Sequence, residues 1–289
     1  MVNRFHVVAF LTFLTFLTFL VTPLCRAEGE SLVVNGVGGS FLRFSGWDNL
    51  HNGWNNVEYK GAGSSFAIYS LPTNSAPSGI STLISTEKES PDKKRMLLMR
   101  VVSGEVSDGH GYSENSEQVY CDVVSLETGC VENIGSALQC DGTWVGEKWK
   151  DSTGEKFDFV KSSLPPKSMI DQVSKISSSE FRAASMKDLM FMGVYSYMAC
   201  NPPQSNVAAY NDIGFYFAEG GEHLLAMQIY QRLLGVAPDR VPLKLNVADS
   251  LWALGKHGEA KPYYIDYRSA MLGKGLGNKI PQRVVERLN

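Results

Sequence analysis

The spacing of apolar positions along the chain changes character once, near Pro165. Before that point, short apolar runs alternate with polar residues or are cut by glycine and asparagine clusters. After it, apolar residues recur every three or four positions. Residues 32–34, 41–44, 65–69, 95–102, 119–126 and 156–160 read as strands, being rich in β-compatible side chains and bounded by turn-formers. Turn signals separate them at 49–53, 74–79, 107–111 and 151–154. The pattern predicts a small antiparallel β domain over residues 28–165, either a sandwich or an incomplete barrel. Pro165 and Pro166 then remove two backbone donors in succession, which marks the boundary.

Helical spacing governs the rest, residues 166–289. Ser177 with Glu180 three positions on gives a capping-box start, and the helix it opens should run to Ala199, before Pro202 and Pro203. Beyond it, residues recur at an offset of 34: Ile213 and Val247, Gly214 and Ala248, Phe217 and Leu251, Ala226 and Ala260, Tyr230 and Tyr264. Small residues at four of these positions let helices approach closely, large ones fill the gaps, and Gly221 and Gly255 fall where the chain must reverse. Two antiparallel helix pairs follow, 207–217 with 223–235 and 243–254 with 258–271. Ile280, Val284 and Leu288 share one face of a closing helix within 280–289. The whole reads as an α+β protein, a β domain followed by an α-helical domain.

A 34-residue period of this kind, with Pro238 closing its first unit, resembles the tetratricopeptide repeat (TPR). The units would be 207–240 and 241–272. The second departs from the family at Lys244, where an aromatic residue is typical, and it lacks the closing proline. The resemblance implies a protein-binding groove lined by the first helix of each pair. The matching positions are Asn211, Phe215 and Glu219, then Leu245, Asp249 and Trp252. Two units are fewer than the roughly three such a stack needs, so the preceding helix, the closing helix and the β domain should complete one rigid body. Phe215 and Trp252 would then face either a partner or the protein's own β domain.

The first 27 residues add a compartment. Arg4, an apolar run of about 15 residues and small side chains at Cys25 and Ala27 describe a secretory signal cleaved after Ala27. An uncleaved anchor would need about 20 apolar residues, and Pro23 and Leu24 suit a lipidated Cys25 poorly. Loss of Arg4 and Arg26 with the leader takes 27 basic residues to 25 against 30 acidic ones, a net charge of about −5. No basic block suited to phosphate contacts survives, which argues against nucleic acid as a partner. Cys121, Cys130, Cys140 and Cys200 remain, an even set for an oxidising compartment. Their nine- and ten-residue gaps do not match zinc-ligand spacing. Three disulfide pairings are open, and any pairing of Cys200 ties the helices to the β domain.

Candidate chemistry is sparse. The glycines at 36, 38 and 39 are followed by a strand, so they offer no helix N-terminus to a pyrophosphate. The loop at 108–114 gathers Asp108, His110 and Glu114 at spacings that fit no calcium or zinc cage. Trp47, Trp54, Trp144 and Trp149 flank polar turns and either fill the core or stack on sugars. No nucleophile–base motif is recognisable. No catalytic, cofactor or metal residue is expected. The expectation is a periplasmic or secreted protein, without a membrane span once its leader is cut, that binds another exported protein. It would act as an inhibitor of the immunity type, as an envelope adaptor, or as a cell-wall binder through the tryptophans.

Overall fold

The computed structural model describes residues 31–49, 51–61, 63–71, 80–84, 88–107, 111, 113–157, 159 and 162–289. Residues 1–27, expected to be a leader, the turn expected at 74–79 and most of the segment 108–114 lie outside them. Strands β1 (Leu32–Asn35), β2 (Phe41–Asp48), β3 (Gly53–Gly61), β4 (Ser64–Ile68), β5 (Ile80–Leu83), β6 (Arg95–Ser107), β7 (Ser113–Ser125) and β8 (Val131–Ser136) form one eight-stranded antiparallel sheet. Its order is β1-β2-β3-β5-β6-β7-β8, with β4 also paired to β3. Strands β9 (Gly142–Val145), β10 (Lys148–Asp151) and β11 (Lys156–Phe157) make a second, three-stranded sheet.

The two sheets and the helices form layers. Met96 and Leu98 of β6 face the main core shared with the helices, while Leu97 and Met99 face Cys121, Trp149 and the small sheet. A strand covered on both faces reads as a continuous apolar run, which is how β6 looks in sequence. Strand β3 was not expected, because Asn55 and Asn56 interrupt its alternation. Trp54, Val57 and Tyr59 are nonetheless buried on it.

The helices are α1 (Pro166–Val173), α2 (Ser179–Leu189), α3 (Val194–Cys200), α4 (Val207–Glu219), α5 (His223–Val236), α6 (Val241–Ala253), α7 (His257–Gly273) and α8 (Gln282–Leu288). The single helix expected up to Ala199 is two. Gly193 adopts φ 95°, which an L side chain rarely takes, and the chain turns there onto β4 through Tyr69 N–H to Met192 O at 3.0 Å. The cap is Ser178 rather than Ser177, its hydroxyl accepting from the Phe181 amide at 3.3 Å. Helix α1 was also not anticipated. The prolines taken as a break start it, since Pro166 in a first turn leaves no needed donor missing.

Helices α1 and α2 pack on α4 much as α4 and α5 pack on α6. A third pair therefore precedes the two that the 34-residue offset reveals. Closure between α4 and α5 depends on Gly214, where a Cβ would lie 2.3 Å from Tyr230 Cε1. One apolar core runs from β1 to α8.

Polar bonds reinforce the junction of sheet and helices. The disulfides are Cys121–Cys140, within the β region, and Cys130–Cys200, which ties the residue just before β8 to the end of α3. Buried Glu132 of β8 accepts from the Ser162 and Ser163 amides at 2.8 and 2.6 Å and from both hydroxyls, fixing the segment that leads into α1. Ser196 donates to Gly129 O at 2.7 Å and Tyr197 to Leu164 O at 2.5 Å. Among the described residues no helix is long and apolar enough to cross a membrane.

Candidate partner-binding groove

Helix α4 carries one open stripe, Ala208, Asp212, Phe215 and Glu219, at the i, i+4, i+7, i+11 spacing of a single helix face. The opposite face is filled by Tyr210, Ile213 and Phe217, all fully buried. Thirty-four residues on, the same stripe of α6 is Pro242, Asn246, Asp249 and Ala253. Because α1, α4 and α6 lie side by side, these stripes share one surface. Between α1 and α4 it deepens into a hollow of about 410 Å³. Ile170, Val207 and Ala208 give it an apolar floor, and Lys167, Asp171 and Asp212 stand at its rim.

The six residues expected to line a groove separate into four groups. Phe215 is open, 42 % exposed, with its ring 5.9 Å from that of Tyr216. Asn211 is 4 % exposed, accepting from Asn246 Nδ2 at 3.3 Å and donating to Asp212 Oδ1 at 3.3 Å. It therefore ties α4 to α6, and the exposed polar position beside it is Asp212, with Asn246 half-buried. Leu245 likewise packs partly into the core. Glu219 holds Arg182 of α2 at 2.8 Å, and that guanidinium also covers Tyr216 at 4.3 Å.

Asp249 and Trp252 belong to the closing helix. Asp249 accepts from Arg283 at 2.8 Å, from Arg287 at 2.7 Å and from the Tyr264 hydroxyl at 2.7 Å. Burial pushes the Tyr264 phenol up, and its bond to Asp249 adds to that. Trp252 stacks on His257 at 4.0 Å and lies under the Arg287 guanidinium at 5.1 Å. Its cover is thus α8 and its own hairpin, not the β domain. The sequence gives no direct sign of this, since Arg283 and Arg287 look like ordinary exposed helix charges.

The tryptophans of the β region form cross-strand pairs. Trp47 opposes Trp54 and Trp144 opposes Trp149, each edge to face at 5.1 and 5.4 Å, with Trp54 and Trp149 buried. Trp144 Nε1 donates to Lys88 O and Trp149 Nε1 to Gln139 O. These indoles are occupied by packing.

One cluster was missed in the sequence. His51 Nδ1 bonds Asp48 Oδ2 at 2.6 Å, while Nε2 lies 3.4 Å from Ser103 Oγ. The order of groups is that of a nucleophile relay. Glu117 Oε1, however, sits 3.2 Å from the same Nε2 and claims the edge that would have to serve the serine. The cluster joins the β2–β3 turn to β6 and β7.

No family model matches the chain, and no curated protein matches it at a significant level.

Proposed function

We propose that this is an exported protein that grips a segment of one dedicated protein partner in the groove of α1, α4 and α6, with its helix pairs acting as TPR-like units. The observation that carries the reading is the apolar hollow at Ile170, Val207 and Ala208, rimmed by Asp171 and Asp212 and continued by Phe215 and Asn246. An apolar floor with a few convergent polar groups is what a binding site needs. With Lys167 beside Asp171 and Asp212, the rim suits a segment whose apolar anchor is flanked by charged or polar residues. Two disulfides, of the kind formed in oxidising compartments, support export. An inhibitory role suits a partner gripped by one preformed surface.

The test compares wild type with Ala208→Arg, which fills the hollow, and with Leu138→Ala, a change at an exposed site of the β region. Cross-linking in envelope extract should yield one principal partner with wild type and Leu138→Ala, and lose it with Ala208→Arg. An unchanged set of partners in Ala208→Arg refutes the groove. Loss of the purified partner's activity on equimolar mixing identifies an inhibitor, and unchanged activity identifies an adaptor.

A further inference from the structure

Arg100, midway along β6, is 6 % exposed, yet it makes one side-chain hydrogen bond within the described structure, from Nε to Asp122 Oδ2 at 2.6 Å. A guanidinium has five N–H donors. Both of its faces are closed: the Tyr120 ring centroid lies 4.4 Å away and that of Phe191 4.2 Å, with Tyr69 at 5.8 Å. Among the described residues nothing bonds its Nη edge. Asp122 cannot swing round to chelate that edge, because it also accepts from the Tyr69 hydroxyl at 2.8 Å and from Asn133 Nδ2 at 2.8 Å.

The surroundings are shaped to hold this arrangement. Tyr69 has φ 55°, a left-handed conformation uncommon for an aromatic residue and one that concentrates where a side chain must be aimed. The pairing of β7 with β8 shifts register between Cys121 and Asp122, a device that re-aims side chains beside sites. Phe191 comes from the break between α2 and α3, so sheet and helices meet at the guanidinium.

We propose that the Nη edge of Arg100 is a binding site for a single carboxylate, at the junction of the sheet with the α2–α3 break. The planar fork matches a carboxylate in a bidentate, edge-on pose, the only one the stacked rings leave open. Asp122 already neutralises the guanidinium, so a monoanion is tolerated where a phosphate dianion is repelled. The site is separate from the helical groove and does not depend on it. Its carboxylate comes from a small organic acid or from the end or side chain of a peptide.

The probes are acetate, inorganic phosphate, and tri-alanine with a free or an amidated C-terminus. Binding is read from the Arg100 Nε–Hε signal by NMR and from calorimetry on the oxidised full chain. Saturable binding of acetate, or of the free but not the amidated peptide, supports the site, and which of the two binds names the source. Arg100→Gln alone would leave Asp122 buried and unpaired, so the variant is Arg100→Gln with Asp122→Asn, checked for native circular dichroism. Its affinity should fall about tenfold or more, the loss of a bidentate charged contact. Phe191→Ala, which opens one face and keeps the fork, should retain binding. No saturable response to acetate or free peptide, a response that survives in the double variant, or tighter binding of phosphate each overturns the proposal.

Discussion

Opening the Cys130–Cys200 bridge measures how firmly the helices are held to the sheet. It closes a loop with a sequence separation of 70, against 19 for Cys121–Cys140. The loop-entropy relation gives about 4.4 kcal/mol for the longer loop and about 3.2 kcal/mol for the shorter, if each acts mainly on the unfolded chain. Cys130→Ser with Cys200→Ser should therefore destabilise by about 1 kcal/mol more than Cys121→Ser with Cys140→Ser. Both variants should keep the native fold, because Glu132 still clamps Ser162 and Ser163 and Ser196 still bonds Gly129. Urea unfolding, followed by far-ultraviolet circular dichroism and by tryptophan fluorescence, gives both numbers. Trp54 and Trp149 report on the β region and circular dichroism mainly on the helices. The main core that the large sheet and the helices share, with Trp54 in it and Trp149 in the smaller cluster under the second sheet, predicts coincident transitions in the wild type. A larger loss from the short bridge refutes the entropic reasoning, and separate transitions in the wild type refute the shared core.

Three further outcomes follow from individual contacts. Asp249→Ala removes the acceptor of Arg283, Arg287 and the Tyr264 hydroxyl. With a side chain 27 % exposed, the loss should be about 2 kcal/mol, and amide exchange in α8 should quicken first; unchanged protection of α8 counts against its anchoring. Gly214→Ala adds a methyl 2.3 Å from Tyr230 Cε1, and overpacking of about 1–3 kcal/mol should outweigh the roughly 1 kcal/mol gained in helix propensity; a higher melting temperature would contradict this. Burial holds the His223 imidazole below its ordinary 6.5, against a smaller opposing pull from Asp249, and its Nδ1 is buried without a partner. The unfolded chain therefore binds the proton more readily, and this contribution to stability is lost as pH falls through about 6.5 towards the folded value. His223→Gln should flatten that slope in melting temperature against pH, and an NMR titration midpoint at or above 6.5 would reverse the sign.

The sequence showed the helix pairs because their packing demands are local and repeated. Gly214 must be small where Tyr230 is large, and the same demand recurs at Ala248 and Tyr264. The pair α1–α2 meets no such demand at the same spacing, since the α3 insertion displaces it, and so it could not be found by period. The break at Gly193 was hidden for a related reason. Its apolar neighbours are buried on both sides of the break, and burial on every face looks like one continuous helix. The β region was legible where burial on two faces makes an unbroken apolar run, as in β6. It was not legible in β3, where exposed asparagines alternate imperfectly with buried Trp54 and Val57. Two of the positions expected to line a groove lie one residue off the stripe. Asn211 and Leu245 lie at the seam of α4 and α6, and only the packing of neighbouring helices decides that Asp212 is exposed and Asn246 half-buried. The use of Asp249 and Trp252 by α8 depends on contacts across 34 to 38 residues that no local pattern encodes.

These placements bear on how a groove of this kind would act. Its walls are each held by contacts within the protein: α1 by fully buried Met169 and Val173, α4 by Tyr210, Ile213 and Phe217 on its buried face and by Arg182 on Glu219 at the end of the stripe, and α6 by the arginines of α8 on Asp249. A partner entering it would not have to order those helices, so less of the contact energy is spent on immobilisation. At about 410 Å³ the hollow admits a small set of side chains rather than a whole protein face. Recognition would then rest on one anchoring residue with polar contacts around it, the distribution in which a few buried groups carry most of the binding energy. Closing the hollow at Ala208 should therefore act chiefly on dissociation, raising the off-rate while leaving association largely unchanged, because mutations within one interface alter residence time more than encounter. A variant that slows association instead would mean that the partner first docks elsewhere on the molecule.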